Sequence, residues 1–198
     1  MVQHQAEAEV RRRDAVLEAY SAAARDPAGA HPFEVGRDLA EGVGYSPRLL
    51  DGIPDAAVGA FSGVAAVGVE ARVEAGDRVL DLGCGAGLDT LLAARRTGDA
   101  GRIVGVDFSA AVLRRARDAI GGVPRVLLAR AAAERLPLAD GSVDTVLING
   151  IFNLNPARAA IFAELARVVR PGGRLHAAEL ILRGPPAEED RTEAGWFN

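Results

Sequence analysis

An acid, Asp81, stands two residues ahead of three alternating glycines, Gly83, Gly85 and Gly87, and a second acid, Asp107, follows Gly87 by 20 residues. The glycines let main chain approach a ligand without a Cβ in the way. A dinucleotide site asks for a further glycine one residue later, where Leu88 stands here. The charge on Asp81 opposes a pyrophosphate and suits a cation. Asp107 closes the apolar run from Ile103, where an acid can accept hydrogen bonds from both hydroxyls of a ribose. Phe108, next to it, either lies against an adenine ring or fills the core. Together these residues suit an adenosine that carries positive charge. A purely structural strand–turn–helix corner is the alternative.

Elements of a definite kind must hold these residues. Arg78–Leu82 reads as a first strand and Leu88–Thr97 as the helix after the glycine turn. Arg102–Asp107 is a second strand, and Ser109 caps a helix reaching Ile120, stopped by Gly121-Gly122. Arg125–Ala129 is a third strand, and Asp140-Gly141 turns into a fourth at Val143–Ile148. Asn155-Pro156 opens a helix with Ile161, Leu165 and Val168 at helical spacing, Arg170-Pro171-Gly172-Gly173 breaks it, and Arg174–Leu182 is strand five. This alternation predicts an α/β, Rossmann-like, doubly wound and mostly parallel sheet with helices on both faces. Ligands then bind at the carboxyl ends of the strands. Ahead of it, a helix from about Ala6 to Ala24, an N-cap and first helical residue at Ser46-Pro47, and a segment from Ile53 predict a helical cap over the ligand mouth. The expected units are the cap at 1–70, the core at 71–183 and an acidic tail at 184–198.

Composition excludes several classes. A net charge of −4 gives no basic footprint for nucleic acid, and all 23 basic residues are arginine. Glu7, Glu9 and Arg11–Arg13 interrupt any signal-peptide core, and the longest charge-free stretch is too short to span a bilayer. The one cysteine, Cys84, cannot form an internal disulfide, so the expectation is a cytoplasmic protein without a metal site.

The stretch Val79–Gly87, with Asp107 and the Asp140–Asp144 turn, resembles the class I S-adenosylmethionine-dependent methyltransferases. That cofactor carries an ammonium and a sulfonium and no phosphate. The resemblance implies cofactor binding by Asp81, Gly83, Cys84, Gly85, Gly87, Asp107 and Phe108. The family's third motif reads Ala131-Ala132-Ala133-Glu134 here, with Ala132 where an acid would meet the adenine amine, which leaves Ala133 and Glu134 for that side. Tyr20 and Tyr45 would close over the methionine half or else pack in the core. Gly44-Tyr45, Ile53–Val58 and Ile148–Pro156 are similar to the arsenite methyltransferase branch, but Val64 and Gly150 stand where its thiols are expected. A thiophilic metalloid needs several sulfurs, so the resemblance carries the fold and the cofactor and not the arsenic.

Methyl transfer from a sulfonium is an in-line displacement needing alignment, exclusion of water, and a base only where the nucleophile holds a proton. Glu179 at the end of strand five, His31 in the cap and Asn149 at the end of strand four are the catalytic candidates. Each has a plainer role available, as a solvated strand end, a loop histidine, or an asparagine bonding its own backbone. His176, mid-strand, reads as structural. The expected partner is a small-molecule methyl acceptor. The sheet looks shortened after strand five, so its edge calls for cover by the tail or by a second subunit in a homodimer. A cofactor-binding chain that does not turn over, or one that depends on a partner, is the alternative function; an arsenite methyltransferase-like enzyme with a changed metalloid site is another, and a dinucleotide dehydrogenase a further one.

Overall fold

The structure, a computed structural model, describes residues 2–181 and 184; of the expected tail only Gly184 falls among them, and Leu182, the expected end of strand five, lies outside them. Five strands form one parallel sheet in the order β3-β2-β1-β4-β5: β1 Arg78–Leu82, β2 Arg102–Asp107, β3 Val126–Arg130, β4 Val143–Asn149 and β5 Val169–Ala178. The order reverses between β1 and β4, the crevice where such sheets bind ligands.

Alternate residues of the central strands serve opposite faces. Val79, Ile103 and Leu147 pack against α6 (Leu88–Thr97) and against α5 (Val67–Glu70). Leu80, Leu82, Val146 and Ile148 pack against Ile161, Leu165 and Val168 of α8 (Arg158–Val168). β4 is buried through its first six residues, as a strand covered on both sides must be.

Local chemistry sets the ends of the elements. Ser109 accepts a hydrogen bond from the Val112 amide at 3.3 Å and caps α7 (Ala110–Ile120), which ends on left-handed Gly121. Asn155-Pro156 forms a turn ahead of α8 rather than opening it: the Asn155 side chain accepts from the Ala157 amide, and the helix begins at Arg158. β3 lies one residue further on than expected. β5 starts at Val169, straight from α8, and the Arg170–Gly173 run bulges out between the pairs Val143–Val169 and Thr145–Arg174. The helixless connection from β3 to β4 is fastened to α8 by Arg167, which donates to the carbonyls of Leu136 and Leu138 and to Asp140.

The first third contains α1 (Val2–Arg25), α2 (Arg37–Gly42), α3 (Pro47–Leu50), α4 (Asp55–Val58) and α5. Ser46 caps α3 with Pro47 at its first position. α1 lies along α7, tied to it by the buried Ser21–Ser109 hydroxyl pair at 2.8 Å and by Arg115 donating to the Ala24 carbonyl. β5 is an edge among the described residues, and Leu175 within it and Leu180 and Ile181 after it are exposed. No described helix is long and apolar enough to cross a membrane.

Candidate active site

A cavity of about 410 Å³ opens at the carboxyl ends of β1, β2 and β4, between the sheet and α1. Its floor is the turn from β1 into α6. Gly83 and Gly85 hold φ of 76° and 54°, a region that L side chains rarely adopt. A Cβ on Gly85 would project into open space, whereas one on Gly83 would strike Ile151 at 2.4 Å. The turn thus bares its main chain to the cavity.

Three carboxylates ring this floor, Asp81 and Asp89 buried and Asp107 half-buried. Asp81, 3% exposed, accepts from the Thr90 hydroxyl at 2.5 Å. Burial pushes its carboxyl up to about 8, and the nearby charge of Asp89 adds to the rise. Asp107 accepts from the amides of Ser109 at 2.9 Å and Gly85 at 3.3 Å; burial lifts it to about 6 against the pull of those amides. Asp89, in the first turn of α6, accepts from the Tyr45 hydroxyl, from the Gly68 amide at 3.0 Å and from Asn149 Nδ2 at 3.1 Å, and burial raises it too. No arginine stands among the groups that set these three carboxyls. Cys84 is buried, and burial together with Asp81 and Asp107 keeps its thiol protonated.

Of the residues expected from sequence, Asp81, Gly83, Cys84, Gly85, Asp107, Phe108, Ala133, Glu134, Asn149 and Tyr20 line this cavity. Four do not. Gly87 is the left-handed N-cap of α6 and backs onto Ile120. Tyr45 is 1% exposed, edge-on to Phe61, and its hydroxyl is taken by Asp89. His31 faces a separate shallow groove beside Pro27 and Phe33, with its Nε2 2.7 Å from the Asp26 carbonyl. Glu179 accepts from the amides of Phe152 at 2.7 Å and Asn153 at 3.3 Å, so it fastens the loop after β4.

Asn149 faces the cavity with both polar atoms engaged. Oδ1 accepts from the amides of Val64 and Ala65, and Nδ2 donates to the Ala65 carbonyl and to Asp89. It is the clamp between β4 and the loop that brings Ser62 and Gly63 to the cavity wall. Asn155 donates to Glu134 at 2.9 Å, joining the loops after β3 and β4. Tyr20, stacked on Phe33 at 4.4 Å, has no hydrogen-bond partner for its hydroxyl among the described residues. Burial, with Asp107 and Glu179 nearby, raises its pKa, so the hydroxyl stays protonated at neutral pH. His176 accepts from the Arg72 amide at 3.2 Å. The sequence reading missed Asp89, whose position in a helix's first turn looks like an ordinary acid on the macrodipole. It also missed Arg13, which lines the cavity from α1.

A parallel sheet with its order reversing at a glycine turn, and acids at the ends of two neighbouring strands, is the architecture of a class I methyltransferase. Residues 79–173 match the family described as "Methyltransferase domain". The chain is similar to the arsenite methyltransferase of Halobacterium salinarum, 36% identical over 117 residues, which are 58% of this chain and 30% of that protein. It is also similar to the ubiquinone/menaquinone biosynthesis C-methyltransferase UbiE of Geobacter sulfurreducens, 39% identical over 107 residues, 52% of this chain and 41% of that one. Among solved structures, an arsenic(III) S-adenosylmethionine methyltransferase from Chlamydomonas reinhardtii superposes with a TM-score of 0.55 at 28% identity, covering 71% of this chain and 48% of that one. Residues 79–173 of this chain thus match a methyltransferase domain, and the fold is that of S-adenosylmethionine-dependent methyltransferases of known structure. The chain spans less than half the length of each of these relatives.

That family and fold imply S-adenosylmethionine as cofactor, and the residues present fit it. Bare main chain at Gly85 leaves room for a ligand, and carboxylates without a cation of the protein's own suit a ligand that brings one.

Proposed function

We propose that the chain is a methyltransferase that carries a methyl group from S-adenosylmethionine to a small organic acceptor. The observation that carries this reading is the pair of buried Asp81 and half-buried Asp107 at the tips of adjacent strands, facing a cavity and paired with no arginine among the described residues. In this assignment Asp107 holds the ribose hydroxyls, Asp81 faces the cationic half, and Phe108 with Ala133 flanks the adenine. When bound, the cofactor supplies a methyl on a sulfonium that departs as a neutral thioether. The protein's share is to exclude water and to align the acceptor. Asn149 acts by fixing the wall loop rather than by touching the methyl, because its hydrogen bonds are already spent on that loop and on Asp89.

Arsenite is the substrate named for two of the relatives, and the residues argue against it here. Val64 and Gly150 are neighbours: a Cβ on Gly150 would lie 3.4 Å from a Val64 methyl. Carbon lines the place where thiolates would be needed, and the lone thiol, Cys84, is buried and protonated. The acceptor is therefore organic.

Calorimetry with S-adenosylhomocysteine and with NAD tests the reading. Saturable binding of the former, none of the latter, and a loss of about 30-fold or more for Asp107→Ala are expected, the lost groups being charge-assisted hydrogen bonds. Binding of NAD in its place would overturn it. A cofactor-binding chain without turnover gives the same isotherm, and is told apart by labelled methyl failing to reach any acceptor.

A further inference from the structure

The cavity continues past the cofactor floor along one face of α1, where Val10, Arg13, Val16 and Tyr20 recur at helical spacing. Across from them the wall is carbon, including Ala60, Phe61, Ile151, Leu154 and Pro156. Apolar walls exclude water and select an apolar body. The polar groups of this half are few. Asp89 is tied to Tyr45, Gly68 and Asn149, and one oxygen of Glu134 to Asn155. Three groups have no partner among the described residues: the Tyr20 and Ser62 hydroxyls and the Arg13 guanidinium, each able to donate a hydrogen bond. Arg13 is also the one basic side chain lining the cavity among the described residues, two turns of α1 outward from Tyr20, where Val10 is already 59% exposed.

We propose that the methyl acceptor has an apolar body and an anionic group, and that Arg13 reads that anion at the cavity mouth. This rests on the cofactor reading above. With the cofactor's positive charges set against Asp81 and Asp107, the floor no longer repels an anion, and Arg13 attracts one to the mouth. A cationic acceptor would compete for the same carboxylates and meet Arg13 on the way in.

The chemistry Arg13 recognises, a carboxylate or similar anion, could come from the acceptor or from the cofactor's own amino-acid half, and one experiment separates them. The full chain is saturated with S-adenosylhomocysteine and titrated by calorimetry with two isosteric pairs, octanoate against octanamide and 2-naphthoate against 2-naphthamide. At least one acid is expected to bind about tenfold more tightly than its amide. Arg13→Gln removes that difference, Arg13→Lys keeps part of it, and neither changes the affinity for S-adenosylhomocysteine. Gln and Lys are good helix formers, and an unchanged melting temperature checks the fold. Equal binding of acid and amide, no binding of either pair, or a fall in S-adenosylhomocysteine affinity on Arg13→Gln with the acid–amide difference intact would each overturn the proposal. Failure of wild-type protein to take S-adenosylhomocysteine at all strikes the cofactor reading instead.

Discussion

The two ends of the same strands treat carboxylates in opposite ways. At the amino ends, Asp77 accepts from Arg174 at 2.8 Å and from Thr145, while Asp144 accepts from the Arg78 side chain at 2.9 Å and 3.1 Å and from Arg170. These arginines, Arg78 first, hold the Asp144 carboxyl well below the usual range. At the carboxyl ends, Asp81 and Asp89 are buried and Asp107 half-buried, with hydroxyl and amide donors but no arginine among the described residues, and desolvation raises all three. A fold able to neutralise its acids at one end of the sheet leaves them unmatched at the other. The carboxylates at the amino ends hold strands together; those at the carboxyl ends are the ones proposed above to meet the cofactor's charge.

The largest effect expected from this contrast is on binding. Asp81→Asn should weaken S-adenosylhomocysteine by about 30- to 100-fold, the value of a buried charge-assisted contact, and Asp144→Ala should leave that affinity unchanged. Comparable losses from both variants in calorimetry would erase the distinction. Next comes stability. Asp144→Ala should cost roughly 2 kcal/mol in urea unfolding, below the usual value for a broken buried pair because its arginines are about half exposed. Asp81→Asn should instead raise the stability of the cofactor-free protein at pH 8 by about 1 kcal/mol, since it removes an unmatched buried charge.

Smaller, and of opposite sign at the two ends, is the dependence on pH. Asp81 and Asp107 have folded pKa values of about 8 and about 6, above the ordinary 3.8, so the folded chain binds more protons than the unfolded one between those limits. Their contribution is full below about pH 4 and is lost as pH rises through 6 and 8. Asp144, lowered, contributes above the ordinary range and loses its contribution as pH falls below 3.8. Unfolding of wild type and Asp81→Asn at pH 5 and pH 8 reads this: the wild type should fall further between the two. Smallest is Tyr45→Phe, which removes one hydroxyl from Asp89 and should cost about 1 kcal/mol with little change in cofactor affinity, because Tyr45 lies behind the cavity wall.

What sequence could and could not foretell follows the range of the interactions. β1, α6, β2 and α7 have the ends read from sequence because each end is set by neighbouring residues: the glycine turn, the Ser109 cap, the Gly121 stop. The same local logic brings Asp81, Gly83, Gly85 and Asp107 to one cavity, since two parallel strand tips and one turn suffice. The start of β5 was hidden because Pro171 and its glycines read as a break, whereas pairing with β4 accommodates them as a bulge. The Tyr45–Asp89–Asn149 node joins side chains 44 and 60 residues apart, a distance at which nothing in a local pattern pairs them. For the same reason Tyr45 reads as a lid residue and Asn149 as a candidate at the methyl, when one is buried behind the wall and the other clamps it.

Proton release on binding tests the unmatched carboxylates most directly. Calorimetric titration with S-adenosylmethionine at pH 6, in two buffers of different ionisation enthalpy, counts protons at a pH where the ligand's own amine is already charged, its ordinary pKa being about 8. Carboxyls lifted by burial should ionise when a cation arrives, releasing about one proton per cofactor bound, and Asp81→Asn should release markedly fewer. Binding with no proton exchange, or with uptake, would contradict the account.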